Sequence, residues 1–185
     1  MVVERLIEVA ARLRDDVGPM GRKLVSEGRI DVCYNPLNYA WDVHEEYLRR
    51  MGGRGAHTVM LGMNPGPHGM GQMGIPFAAT SIVRDLLGIT DIPVNQPDVP
   101  DERRPVIGLE YHKEEVSGTR LWNLLHTQYG DAKAIASRVF LVNHCPLMLF
   151  SGPRATNITP DKVGGSTVKA LLERCDEHLS AVVDI

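Results

Sequence analysis

Cysteine is scarce. The 185 residues hold three, Cys33, Cys145 and Cys175, an odd and widely spaced set. That pattern excludes a disulfide framework, falls one thiol short of an all-cysteine iron–sulfur cluster, and suits a reducing, intracellular compartment. No apolar run approaches the roughly 20 residues of a membrane span, so no membrane partner is expected. The N-terminal segment alternates charged and apolar residues and lacks the layout of a signal peptide. A net charge of −3 leaves no global basic field, so charge does not advertise nucleic-acid binding, although a local basic groove stays open. Three motif classes are absent: the C-x-x-C that must accompany H-x-E in zinc deaminases, the G-x-S-x-G of serine hydrolases and the G-x-x-x-x-G-K-[ST] of nucleotide triphosphatases. No metal and no cofactor is expected. Aromatics make up only 5% of the chain, so a phenylalanine beside a glycine-rich loop stands out.

That loop is what the sequence does have. Residues 58–77 read TVMLGMNPGPHGMGQMGIPF, an apolar strand that breaks at NPGP, with Gly62, Gly66, Gly69, Gly71 and Gly74 close together and Phe77 at the end. Asn, Pro and Gly are turn formers, which explains a bend. The length of the glycine run asks for more, namely space or a close approach to backbone. A second apolar run, RVFLVNHCPL over 138–147, ends in the same way: Asn, a short gap, Pro.

Around these two strands the periodicity predicts helices over 3–15, 38–51, about 78–88 and 117–130, the last with Leu121, Leu124 and Leu125 on one face. A further helix is expected from Pro160 to about Leu179, capped by Thr159. Residues 90–105 and the GPRATNITP segment read as loops, and the closing SAVVDI reads as the start of a third buried strand. The alternation predicts an α/β protein: one domain over 1–185, three-layer α/β/α with a short parallel central sheet, its C-terminal strands missing because the chain is part of a longer one.

In a parallel α/β sheet, ligands sit beyond the carboxyl ends of the strands. If the two strands are neighbours, Asn64 and Asn143 share one rim. A carboxamide presents an acceptor and a donor side by side and can match the N3–H and O4 edge of uracil with two parallel hydrogen bonds. Cytosine reverses both groups, which leaves unpaired polar atoms at roughly 1–3 kcal/mol each. Arg154 and Asn157 lie in a loop on the same rim, where such side chains contact phosphate. Arg103 and Arg104 read as solvated, and His68 and His144 as bystanders of the two motifs.

GMNPGPHGMGQMGIPF and VNHCPL, with RPVIGLEYHKEEVSGTRLW between them and NITP after, resemble the single-strand-selective monofunctional uracil-DNA glycosylases of the uracil-DNA glycosylase superfamily. The resemblance covers residues 57–176. It implies hydrolysis of the N-glycosidic bond of uracil and 5-substituted uracils, such as 5-hydroxymethyluracil, in single- or double-stranded DNA, by a monomer that starts base-excision repair. It implies that Asn64 positions the attacking water, Phe77 stacks on the flipped base and Asn143 reads its edge. Met63, Gly66 and Met70 would line the pocket, with Gly66 leaving room for a 5-substituent. The family's His-Pro-Ser-Pro segment has no counterpart among these residues. The alternatives are a mismatch-directed uracil/thymine glycosylase and a non-catalytic binder of damaged DNA.

Overall fold

A computed structural model describes residues 2–185. Helix α1, Val2–Ser26, turns Leu6, Ala10, Leu13, Val17, Gly21 and Leu24 inward at helical spacing. It runs past residue 15, where the sequence pattern had ended it, and through Pro19. That proline is exposed, so the Asp15 carbonyl it leaves without a helical donor faces water. Gly21 lets β1, Val32–Tyr34, lie close: a Cβ there would sit 2.6 Å from Cys33 Sγ.

Helices α2, Pro36–Tyr39, and α3, Trp41–Met51, follow, then strand β2, Thr58–Gly62. The glycine loop carries a one-turn helix α4, Met70–Met73. The expected helix over 78–88 is instead a short π-helical turn, Ile82–Leu86. Helix α5, Val116–Tyr129, matches its predicted span, but its buried face is Gly118, Trp122 and Leu125, while Leu124 is 63% exposed. Next come α6, Ala132–Ala136, and β3, Val139–Asn143.

β2 and β3 pair in parallel, Thr58 with Val139 through Gly62 with Asn143. This pair is the short central sheet of a three-layer α/β/α architecture. Tyr47 of α3 stacks on Phe140 at 6.0 Å and donates its hydroxyl to Leu141 O at 2.7 Å, pinning the helical layer to β3. A second sheet has no counterpart in the sequence reading. β4, Met148–Ser151, pairs antiparallel with both β1 and β5, Thr156–Ile158. Part of the expected GPRATNITP loop is therefore strand. Its hairpin corner, Gly152 at φ 78 and Ala155 at φ 44, supplies the local signal for a turn.

The last helix, α7, starts at Ser166, not at Pro160; Pro160–Lys162 is a single 3-10 turn and Thr159 makes no side-chain cap. Gly164 and Gly165, the latter at φ 112, interrupt the helix between them. α7 continues to Val183, so SAVVDI is helical and not a nascent strand. Leu171, Cys175 and Val182 keep the helical spacing and pack inward, and Val183 turns to solvent. Among the described residues no helix is long and apolar enough to cross a membrane.

Candidate functional site

The strand ladder continues beyond its formal ends. His144 N–H donates to Gly62 O at 2.8 Å and Cys145 N–H to Met63 O at 2.9 Å, so LGMN and NHCP run side by side. This register puts Asn64 and Asn143 on one rim. Gly62 is the partner of Asn143, and a Cβ on it would overlap Asn143 Oδ1 and lie 2.8 Å from the Phe77 ring. The glycine is therefore the reason the amide and the ring can meet.

Asn143 is buried, with 7% of its surface exposed, and its amide nitrogen donates to the Met70 sulfur at 3.1 Å. A thioether is a weak acceptor, so a carbonyl oxygen would be the better partner. Asn64 donates its amide to Ile158 O at 3.3 Å and Leu147 O at 3.4 Å, long bonds that hold the side chain by its nitrogen. No protein group among the described residues donates to its Oδ1, which is left as an acceptor.

Phe77 is half-buried at φ 55, a left-handed backbone uncommon for a bulky residue. Ala78 N–H closes onto Ile75 O at 3.2 Å, so Pro76 and Phe77 form the corners of a turn whose third position favours glycine. The surroundings enforce it. The Phe77 carbonyl lies against Gly118, where a Cβ would overlap it, and Glu115 caps α5 by accepting from Ser117 N–H at 3.2 Å and from Gly118 N–H. Backbone strain of this kind persists only where the surrounding structure enforces it, and it clusters at functional sites.

Gly66 faces open space, with nothing within 4 Å of an added Cβ, while its carbonyl accepts from Gly71 N–H at 3.0 Å. Met63 is 53% exposed and Met70 is buried. Asn157 does not reach solvent with its amide: the nitrogen donates to Pro65 O at 3.1 Å and Oδ1 is buried without a partner, so it holds the NPGP loop. Arg154 is exposed at the tip of the β4–β5 hairpin.

Several contributors were not foreseen. Gln72 is buried and spends both ends of its amide, donating to Pro67 O at 2.9 Å and Pro105 O at 3.0 Å and accepting from Ile107 N–H at 2.8 Å. It fastens the glycine loop to the proline-rich excursion. Arg104, read as solvated, donates to Ala155 O at 2.7 Å. His68 stacks on Tyr111 at 5.7 Å, and His144 Nε2 meets Asp176 Oδ1 at 2.7 Å. Behind Asn143, His44 Nδ1 bonds Gly74 O at 2.7 Å; burial lowers its pKa to about 4. His178, also facing that space, is lowered to about 4 by burial and by His44 and His144. Both are neutral at pH 7, so the protonated nitrogen of His44 is Nδ1. A cavity of about 30 Å³ separates these rings from Asn143 and Met70.

No family model matches the chain. It is 36% identical over 184 residues to the single-strand selective monofunctional uracil DNA glycosylase of Bos taurus, a match over 100% of this chain and 65% of that protein. It is 40% identical over 156 residues to the Mus musculus protein of the same name, over 84% of this chain and 55% of the relative. The fold resembles the crystal structure of wild-type Pedobacter heparinus SMUG2 with a TM-score of 0.58 at 17% identity, over 83% of this chain and 60% of that one. In sequence the chain is thus similar to single-strand selective monofunctional uracil DNA glycosylases, and in fold to SMUG2. The chain spans between 55% and 65% of the length of these curated relatives.

Proposed function

We propose that this chain removes uracil, and 5-substituted uracils such as 5-hydroxymethyluracil, from DNA by hydrolysing the N-glycosidic bond, as a monomeric domain acting inside the cell at the start of base-excision repair. The observation that carries the reading is the parallel register of Gly62 with Asn143, which sets an amide, an aromatic ring and a second amide around one rim. The relatives' names supply the substrate class.

In this reading the base leaves the stack, at a cost of a few kcal/mol, and enters between Phe77 and Asn143. Asn143 Nδ2 exchanges the Met70 sulfur for uracil O4, and Oδ1 accepts the N3–H. Asn64 Oδ1, left free by its nitrogen-side anchors, accepts a hydrogen bond from water and aims its oxygen at C1′. A neutral amide is a poor base, so the contribution is positioning against an oxocarbenium-like sugar. Open space at Gly66 leaves room for a 5-substituent. Arg154 lies where the strand's phosphates would pass, and Asn157 supports the loop behind Asn64.

The test is incubation with an end-labelled uracil oligonucleotide, alkali treatment, and measurement of strand scission. Asn64→Ala is expected to lower the single-turnover rate by about 10²–10³ while binding persists, in keeping with the loss of one preorganised catalytic group. A shift in gel mobility without scission by the wild type would mean a binder and end the enzymatic reading.

A further inference from the structure

The glycine loop has a second side. Across α4 from Met70 lies an open cavity of about 230 Å³, walled by His68, Arg103, Arg104, Tyr111 and Lys113. Three of these five side chains are cations. The acid paired within the group is Asp101, held by Arg103 at 2.5 Å, and Glu115 stands close enough for His68 to sense its charge. Arg104 is fixed in place: it donates to Ala155 O and to Arg154 O at 3.2 Å and lies 5.5 Å over the Phe150 ring. Two of its five N–H groups are thereby used. Lys113 is exposed and has no ion-pair partner among the described residues.

His68 and Tyr111 add a neutral donor. Their rings stack at 13°, and His68 Nδ1 is 2.5 Å from the Tyr111 hydroxyl. If the hydroxyl donates to Nδ1, the imidazole keeps an Nε2–H to give. If Nδ1–H donates to the hydroxyl, the tyrosine keeps its own O–H. Either tautomer leaves one uncommitted donor. Burial lowers the His68 pKa, and Lys113 and Arg104 lower it further against the opposing pull of Glu115.

We infer that this cavity receives a phosphate of the substrate strand, beside the nucleotide turned into the base site. The inference rests on the glycosylase reading, since the glycine loop is the shared wall: Asn64 and Met70 face the base, and Pro67, His68 and Gln72 face the cavity. A tetrahedral anion with several acceptor oxygens matches a fixed guanidinium, a mobile ammonium and a neutral N–H or O–H. A free inorganic phosphate would satisfy the same groups, so the test separates the two sources.

Uracil oligonucleotides carrying one neutral methylphosphonate at each successive position are bound to wild type, Lys113→Ala and a control, Lys169→Ala, on the exposed face of α7. Wild type and control should lose about five-fold at one position flanking the uracil, as expected for one phosphate contact near 0.1 M salt. Lys113→Ala should start about five-fold weaker and show no further loss at that position, the coupling a double-mutant cycle reads. A Lys113→Ala profile as sensitive as wild type at every position overturns the subsite. So does a His68 resonance whose titration midpoint rises with inorganic phosphate but not with the oligonucleotide. Scission of the same oligonucleotides is read separately. Coupling without scission keeps the subsite and removes the glycosylase; scission without coupling does the reverse.

Discussion

β2 and β3 are neighbours in one ladder and both largely apolar, yet they live in different surroundings. All five residues of β3 are buried, whereas β2 leaves Val59 and Leu61 exposed at 38% and 49%. Each has a strand on one side only, but β3 also lies under Tyr47, whose ring and hydroxyl both engage it. The site inherits the difference. Asn143 comes from the packed strand and is held within 7% exposure. Asn64 comes from the loop after the exposed strand and is held by two long hydrogen bonds and the Asn157 tie behind it. One amide is set by the core, the other by a loop.

The sharpest way to break this contrast is to truncate one leucine in each strand. Leu141→Ala should cost about 2–5 kcal/mol, because Leu141 is fully buried and leaves a cavity. Leu61→Ala should change stability by less than about 0.5 kcal/mol. Urea midpoints that shift equally for both would show that the strands are equivalent.

Acid should act on the β3 side. His44 and His178 titrate near 4 in the fold against about 6.5 in an unfolded chain. Between those values the unfolded state binds more protons, so stability falls as pH drops from 6.5 towards 4, by up to about 3 kcal/mol per histidine. Urea melts at pH 7 and pH 5 measure this, and His44→Gln should shrink the difference while leaving the His178 part. A flat wild-type profile would mean that these rings are not buried neutral.

A smaller effect tests the loop. Gly62→Ala forces a methyl against Asn143 and Phe77 and should cost about 1–3 kcal/mol and depress uracil excision. Gly66→Ala meets open space and should leave the melt unchanged; any effect should be on substrates with a 5-substituent. Equal destabilisation by the two, read in thermal melts, would remove the argument for a close approach at Gly62.

Much of the site is written in short stretches. LGMNPG and VNHCPL mark strand ends by composition, and Phe77 was conspicuous for its rarity. The turn at Pro76 that strains Phe77 was not legible, since Gly118, which makes room for its carbonyl, lies far along the chain. Asn157 looked like a phosphate contact because its side chain fits that role; only its bond to Pro65 makes it a loop brace. Arg104 and Gln72 were missed for the same reason: both spend themselves on distant carbonyls.

By itself the sequence determined the two apolar strands, the breaks after them, the span of α5 and the kinds of side chain at the rim. Each of these follows from neighbours a few residues apart, through periodicity and turn chemistry. The tertiary structure decided the register that sets Asn143 against Gly62, the antiparallel sheet, the helical end of α7 and the neutrality of His44. These depend on groups such as Tyr47 and Leu141, 94 positions apart, or Asn157 and Pro65, 92 apart, whose meeting is set by burial and by hydrogen bonds that no local pattern encodes.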